Sequence, residues 1–178
     1  MAHIGSGVEY ALHCLLHLTE DPDRPAASAR DLAEFQDLSP TYVAKIFTKL
    51  EKAGLVRAGE GVRGGFRLAR PAAEISFLDV VDAIEQEKSL FDCREIRQNC
   101  ILYRGNPPPS TTRSVCGIHA VMLRAEKAMR DELARHSLAD IATGVSIKLP
   151  VPLQQAASDW FTARAEARGS RKAKGKMT

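Results

Sequence analysis

Long apolar runs are missing from this chain. No stretch of its 178 residues approaches the roughly 20 apolar residues that a bilayer span requires, so no membrane-spanning role is expected. The opening residues, MAHIGSGVEYALHC, hold neither a basic n-region nor a small-residue cleavage site. A cytoplasmic location follows as the expectation. Cysteine is scarce: four are present, at 14, 93, 100 and 116, and no two form a C-x-x-C pair. That missing pair argues against a zinc ribbon or finger. Cytoplasmic thiols stay reduced, so three cysteines gathered between 93 and 116 point to metal binding or redox sensing rather than a disulfide framework. Internal repeats are absent as well. What remains is an ordinary balance, 44% hydrophobic and 26% charged, enough for one globular core with appendages.

Charge is present but unevenly spread. Residues 164–178 hold six Lys/Arg against one Glu, and residues 41–70 hold seven against two, while the whole chain is only +3. A basic stretch on a near-neutral body suits a polyanion, although a solvated face has the same composition.

Helix starts are well marked. Ser6-x-x-Glu9, Ser28-x-x-Asp31, Ser76-x-x-Asp79 and Ser137-x-x-Asp140 all have the capping-box form, and Ser39-Pro40 offers an N-cap followed by proline at the first helical position. The pattern predicts helices over 7–19, 29–35, 40–53 and 76–86. The second and third are joined by the tight connection QDLS, a helix-turn-helix arrangement. LVRAGEGVRGGFRLAR then reads as two strands around a glycine-rich basic hairpin. The fold class expected is mostly α: a winged helix-turn-helix with a long dimerisation helix. That long helix covers 116–136, where Ile118, Met122, Ala125, Met129, Leu133 and His136 alternate four and three apart, a seam in need of a partner. A short amphipathic helix around Trp160 and Phe161 and a disordered basic tail complete the chain.

The third helix divides into two faces. Val43, Ile46, Phe47 and Leu50 recur at core spacing. Thr41, Tyr42, Lys45, Thr48, Lys49 and Lys52 occupy the other face, with Ser39 at its start. Hydroxyls and ammonium groups suit phosphates and base edges when a helix N-terminus enters the major groove. Arg63 and Arg67 on the hairpin are placed for phosphates or an adjacent minor groove. The DNA-binding residues expected are therefore Ser39, Thr41, Tyr42, Lys45, Lys49, Arg63 and Arg67.

The thiol loop is FDCREIRQNCILYRGNPPPSTTRSVCGIH, and Pro107-Pro108-Pro109 is expected to stiffen it and exclude helix there. Cys116 stands at a helix start with Arg113 nearby, and both features favour the thiolate. Three cysteines are one short of the four ligands of a common iron–sulfur cluster. Glu9 and His13 share a face of the first helix, with His17 continuing the line, and His119 sits one turn from Cys116. Each of these is open as a further ligand, and each also has an ordinary reading: Glu9 as capping-box partner, His13 as a solvated neighbour. Cys14 falls on a leucine-rich face and is read as core. An enzyme using Cys116 and His119 lacks oxyanion donors and an orienting acid, so no enzymatic activity is expected.

With these residues in place the chain resembles the IscR/NsrR/RsrR family of iron–sulfur winged-helix transcriptional regulators. The likeness covers residues 1–143 and rests on YALHCLLHL, LSPTYVAKIFTKLEKAGLV, GVRGGFRLARP followed by ISFLDVVDAIE, and the three-cysteine loop ahead of a long helix. The resemblance implies a homodimer formed by the long helix, a cluster held by Cys93, Cys100 and Cys116, and DNA affinity set by cluster state. The gap from Cys100 to Cys116 is longer than the compact IscR spacing. His119 takes the place of IscR's histidine relative to Cys116. Glu9 matches an aspartate that NsrR supplies from the partner subunit, and Glu9 with His13 resembles the cross-subunit pair of RsrR, which uses two cysteines per cluster. The preferred set is the cysteines of one subunit with Glu9 or His13 of the other, His119 being the runner-up. A 2Fe-2S cluster is preferred and 4Fe-4S remains open. The organisation expected is a DNA-binding domain over 1–88, a cluster-binding loop over 89–116, a dimerisation helix with a following short helix over 117–143, and a C-terminal extension over 144–178. The function expected is transcriptional regulation, as a repressor of operator DNA sensing redox state, nitric oxide or iron–sulfur supply. A cluster-free thiol or zinc regulator is the alternative.

Overall fold

The computed structural model describes residues 4–19, 25–59, 64–86 and 89–174. In chain order these form α1 (Ser6–Leu16), α2 (Ala29–Phe35), α3 (Pro40–Lys52), β1 (Val56–Ala58), β2 (Phe66–Leu68), α4 (Phe77–Glu85), α5 (Pro109–Thr112), α6 (Gly117–Ala134), α7 (Leu138–Lys148) and α8 (Val151–Lys174). They divide into two compact units, residues 4–86 with 133–174 and residues 89–132.

In the first unit, helical periodicity decides what is buried. Val8, Ala11, Cys14 and Leu15 of α1 meet Val43, Ile46, Phe47 and Leu50 of α3, with Leu32, Leu55, Ile75, Val80, Ile84 and Leu138 completing the core. Three of the expected capping boxes form. Ser28, Ser76 and Ser137 each accept the N–H of the aspartate three residues on, and that aspartate's carboxylate accepts their own N–H. The Ser6 box does not. Gly5 is the N-cap, and its N–H donates to Glu85 Oε1 at 3.0 Å. The N-cap thus falls one residue before the expected one, with a carboxylate from the end of α4 on its N–H; Ser6 is drawn into the first turn, and Glu9 stays exposed. α3 ends at Gly54, whose φ of 69° lets the Leu55 N–H return to the Leu50 carbonyl at 2.9 Å.

β1 and β2 pair antiparallel, with Val56 opposite Leu68, Arg57 opposite Arg67 and Ala58 opposite Phe66. Ala27 bridges to Phe66, whose N–H donates to the Ala27 carbonyl at 2.7 Å. The approach is close enough that a Cβ on Gly65 would lie 2.7 Å from the Ala27 carbonyl carbon. The chain returns after α6 onto the start of α4: the Phe77 N–H donates to the His136 carbonyl and the Leu138 N–H to the Ile75 carbonyl, each at 2.9 Å.

Two expectations fail at the C-terminal end. Leu133, assigned to the long helix's seam, packs on the core of the first unit. The expected short helix is instead a 24-residue helix, α8, that runs into the expected disordered tail as far as Lys174, and residues 175–178 of that tail lie outside the described residues. The reason is tertiary. Phe161 and Ala165 are buried, and Arg168 joins Asp31, so contacts continue past the apolar segment and hold the helix together. In the second unit Pro109 does not exclude helix but opens α5, in the first-turn position where proline is tolerated. No residue of α6 is buried.

Candidate nucleic-acid interface and cysteine site

Thr41, Tyr42, Lys45, Thr48, Lys49 and Lys52 are all exposed on α3, and Ser39 is its N-cap with no side-chain cap bond. They are not equivalent. Lys45 is exposed and bonds to none of the described residues, whereas Lys49 Nζ donates to the Ile84 carbonyl at 2.7 Å, at the end of α4. Thr48 Oγ1 donates back to the Ala44 carbonyl at 3.0 Å. Tyr42 stands edge-on to Tyr10, ring centroids 5.9 Å apart. A Cβ on Gly7 would come within 2.9 Å of its hydroxyl. The first turn of α3 is thereby packed on α1. Arg67 is half-buried, and Arg57, passed over in the sequence, is exposed directly across the ladder from it. The strand alternation from buried Val56 carried that signal. Arg63 lies outside the described residues.

The second unit brings Cys93 and Cys116 together. Both line a cavity of about 240 Å³ with Phe91, Arg97, Ile118 and His119. Cys100, half-buried, does not line it. Arg97 closes the structure. Its Nη2 donates to Glu95 Oε2 and to the Ser114 carbonyl, each at 2.8 Å, and its Nε donates to Glu95 Oε1. The segment after Cys93 is thus tied to the segment before Cys116. Glu95 is held at φ 47°, a left-handed conformation that a side-chain-bearing residue adopts at a cost. The Arg97 guanidinium holds the Glu95 carboxyl below the usual carboxylate range. The same hydrogen bond, aided by the nearby Cys116 and Cys93 sulfurs, keeps the guanidinium firmly charged. The Glu126 carboxylate accepts the Leu90 N–H at 3.2 Å and anchors the loop to α6.

All four cysteines are free thiols. Cys14 is buried, and burial pushes its thiol up to about 12, which leaves it protonated and inert at neutral pH. Thiolates with an imidazole suit iron or zinc in kind. In number they are short: among the described residues no three His, Cys, Asp or Glu side chains converge on one metal position. Glu9 and His13 are exposed on α1. His17 does not continue their line. It turns inward, its ring 4.7 Å from Phe35 and 5.3 Å from Phe161, with Nε2 2.7 Å from Gln36 Nε2. The apolar surface at the end of α1 outweighs a place in water for that ring.

A turn-linked helix pair followed by an antiparallel hairpin defines a winged helix-turn-helix protein. Residues 4–144 match the Rrf2 family, described as an iron-dependent transcriptional regulator. The chain belongs to the Rrf2 family and is a transcriptional regulator rather than an enzyme. The helix-turn-helix-type transcriptional regulator YffB of Lactococcus lactis subsp. lactis is 33% identical over 139 residues, which cover 78% of this chain and 86% of the relative. NsrR of Halalkalibacterium halodurans is 31% identical over 139 residues, 78% of this chain and 88% of the relative. The solved structure of T. potens IscR shares the fold with a TM-score of 0.62 at 21% identity, covering 83% of this chain and 92% of that one. Helix α8 begins beyond the matched residues. Among the described residues no helix is long and apolar enough to cross a membrane.

Proposed function

We propose that this chain is a homodimeric repressor that grips operator DNA with α3 and the wing, and whose DNA affinity follows an iron–sulfur cluster held by Cys93, Cys100 and Cys116. The observation that carries the reading is the cavity shared by Cys93, Cys116 and His119 in a unit distinct from the helix-turn-helix. The remaining ligand is Glu9 or His13 of a second subunit, with His119 as the runner-up. When bound, the cluster, 2Fe-2S in preference to 4Fe-4S, supplies a group sensitive to redox state and nitric oxide. The chain's own residues supply the coupling. Glu9 lies on the helix whose Gly7 and Tyr10 seat Tyr42, so tension on α1 reaches the first turn of α3. Allosteric coupling of this kind amounts to about 1–3 kcal/mol. Ile118 of α6 is 69% exposed and its apolar neighbours Val121 and Leu123 are exposed too, which supports a seam for the second subunit.

The test is absorbance together with iron and sulfide content of protein purified without oxygen. A brown protein with matching iron and sulfide is expected, and Glu9→Ala, His13→Ala and His119→Ala spectra then identify the remaining ligand. Protein that stays colourless after anaerobic reconstitution with iron and sulfide sinks the cluster. A second reading then takes over, favoured by the lack of three converging ligands: a regulator acting through its thiols or holding zinc.

A further inference from the structure

Helix α8 lies beyond the residues matched by the family and runs along α2 in reverse. Trp160 and Phe161 meet Phe35 at ring distances of 5.1 and 4.9 Å, at the end of α2. One turn on, Arg164 pairs with Glu34. A further turn on, Arg168 reaches the start of α2 and is held there from both ends of its guanidinium. Nη1 pairs with Asp31, which is 6% exposed and whose carboxylate also caps α2 by accepting the Ser28 N–H. Nη2 donates to the Ala26 carbonyl at 2.7 Å. The next residue, Ala27, carries the base of the wing: it bridges to Phe66, and its carbonyl accepts the Phe66 N–H at 2.7 Å. The ring of Phe66 lies 4.7 Å from that of Phe47, on the buried face of α3. One side chain of α8 therefore joins the cap of α2 to the segment that seats the wing, and that seat continues through Phe66 to α3.

We propose that Arg168 is a positioning residue for DNA binding: from α8 it holds the base of the wing in place beside α3, so that both elements meet one duplex together. Two elements that grip one ligand bind it best when they are already ordered relative to each other, because ordering them on contact subtracts from affinity. Arg168 supplies that order from inside the protein. Its guanidinium is committed to Asp31 and the Ala26 carbonyl, so it is not one of the cations offered to phosphates. Removing it loosens the 26–27 segment and the wing above it without taking a charge from the DNA-facing side. Affinity then falls while the number of counterions released on binding, which follows the phosphate contacts, stays the same. Arg164 is the natural comparison, since its partner Glu34 lies farther from the wing and the pair is partly exposed. The proposal rests on the reading of α3 and the wing as the DNA-binding surface.

The experiment is anisotropy of a labelled mixed-sequence DNA duplex with the full chain over a salt series, beside amide hydrogen exchange of the free protein. Arg168→Met is expected to weaken binding about fivefold or more, the low end of coupling between separated sites. The log–log salt slope should not change, and exchange should quicken around Phe66 while the core amides of α1 and α3 stay protected. Arg164→Met should leave both affinity and the Phe66 exchange as they are in the natural protein. If Arg168→Met does not fold, the same comparison is made between Asp31→Asn and Asp31→Asn with Arg168→Met, which leaves no unpaired carboxylate. Natural affinity without Arg168 would overturn the proposal. A shallower slope would make Arg168 a phosphate contact, and uniformly faster exchange would make it a general stabiliser; either result overturns it too. An equal loss from Arg164→Met would assign the effect to α8 as a whole and not to this residue. Lys45→Ala, measured alongside, separates the two ideas. If it weakens binding while Arg168→Met does not, the positioning role alone is wrong; if neither matters, the α3 interface falls with it.

Discussion

Lys49 sits on the exposed side of α3, yet its ammonium is tied to the Ile84 carbonyl at 2.7 Å. Lys45 has no such tie among the described residues. The two lysines, alike in sequence, should separate on mutation. Lys49→Ala is expected to cost about 1 kcal/mol of stability as well as DNA affinity, and Lys45→Ala affinity alone; urea unfolding beside the salt-dependent binding measures both. Gly65→Ala sets a Cβ 2.7 Å from the Ala27 backbone, which has no side-chain freedom with which to yield. A loss of about 1–3 kcal/mol follows, visible as a lower urea midpoint. Cys14 gives a signed pH effect. Its folded value, about 12, lies above the ordinary 9.0, so the folded protein keeps a proton that the unfolded chain gives up. Its contribution is full below pH 9 and falls between pH 9 and 12, by at most about 1.4 kcal/mol per pH unit. Cys14→Ala should remove that part of the slope, and identical curves for the two proteins would contradict it.

At the scale of elements, the helices of the DNA-binding unit were legible because their determinants are local. A capping serine acts on an aspartate three residues away, and a buried face repeats every three or four. α1 departs from this only at its first turn, where the Glu85 carboxylate from α4 arrives. α8 was legible only in part. Its own apolar content, Trp160 and Phe161, marks a short helix, and its full length depends on Asp31 and Glu34 of α2. Phe161, 3% exposed against Phe35 and His17, is the helix's anchor. Phe161→Ala should destabilise the protein by about 3 kcal/mol and lower the helical signal before the global transition. Unchanged unfolding would mean that α8 contributes little to the first unit.

For the whole molecule, the division into two units separates the helix-turn-helix and wing from Cys93, Cys100 and Cys116. A second copy would join through α6, which has no buried residue of its own. Sedimentation equilibrium is expected to give a dimer that Ala125→Glu shifts toward monomer; a dimer indifferent to that charge would move the interface elsewhere. The sequence by itself determined the helix-turn-helix, the wing, the buried face of α3 and the core position of Cys14, since each follows from periodicity, caps and glycine within one short stretch. Tertiary structure decided the rest. It turned His17 inward, tied Lys49 to α4, moved the cap of α1 from Ser6 to Gly5 and extended α8. It also brought Cys93 and Cys116 to one cavity through Arg97, Glu95 and the Ser114 carbonyl. Those outcomes rest on contacts between residues distant in the chain, which spacing along a sequence does not encode.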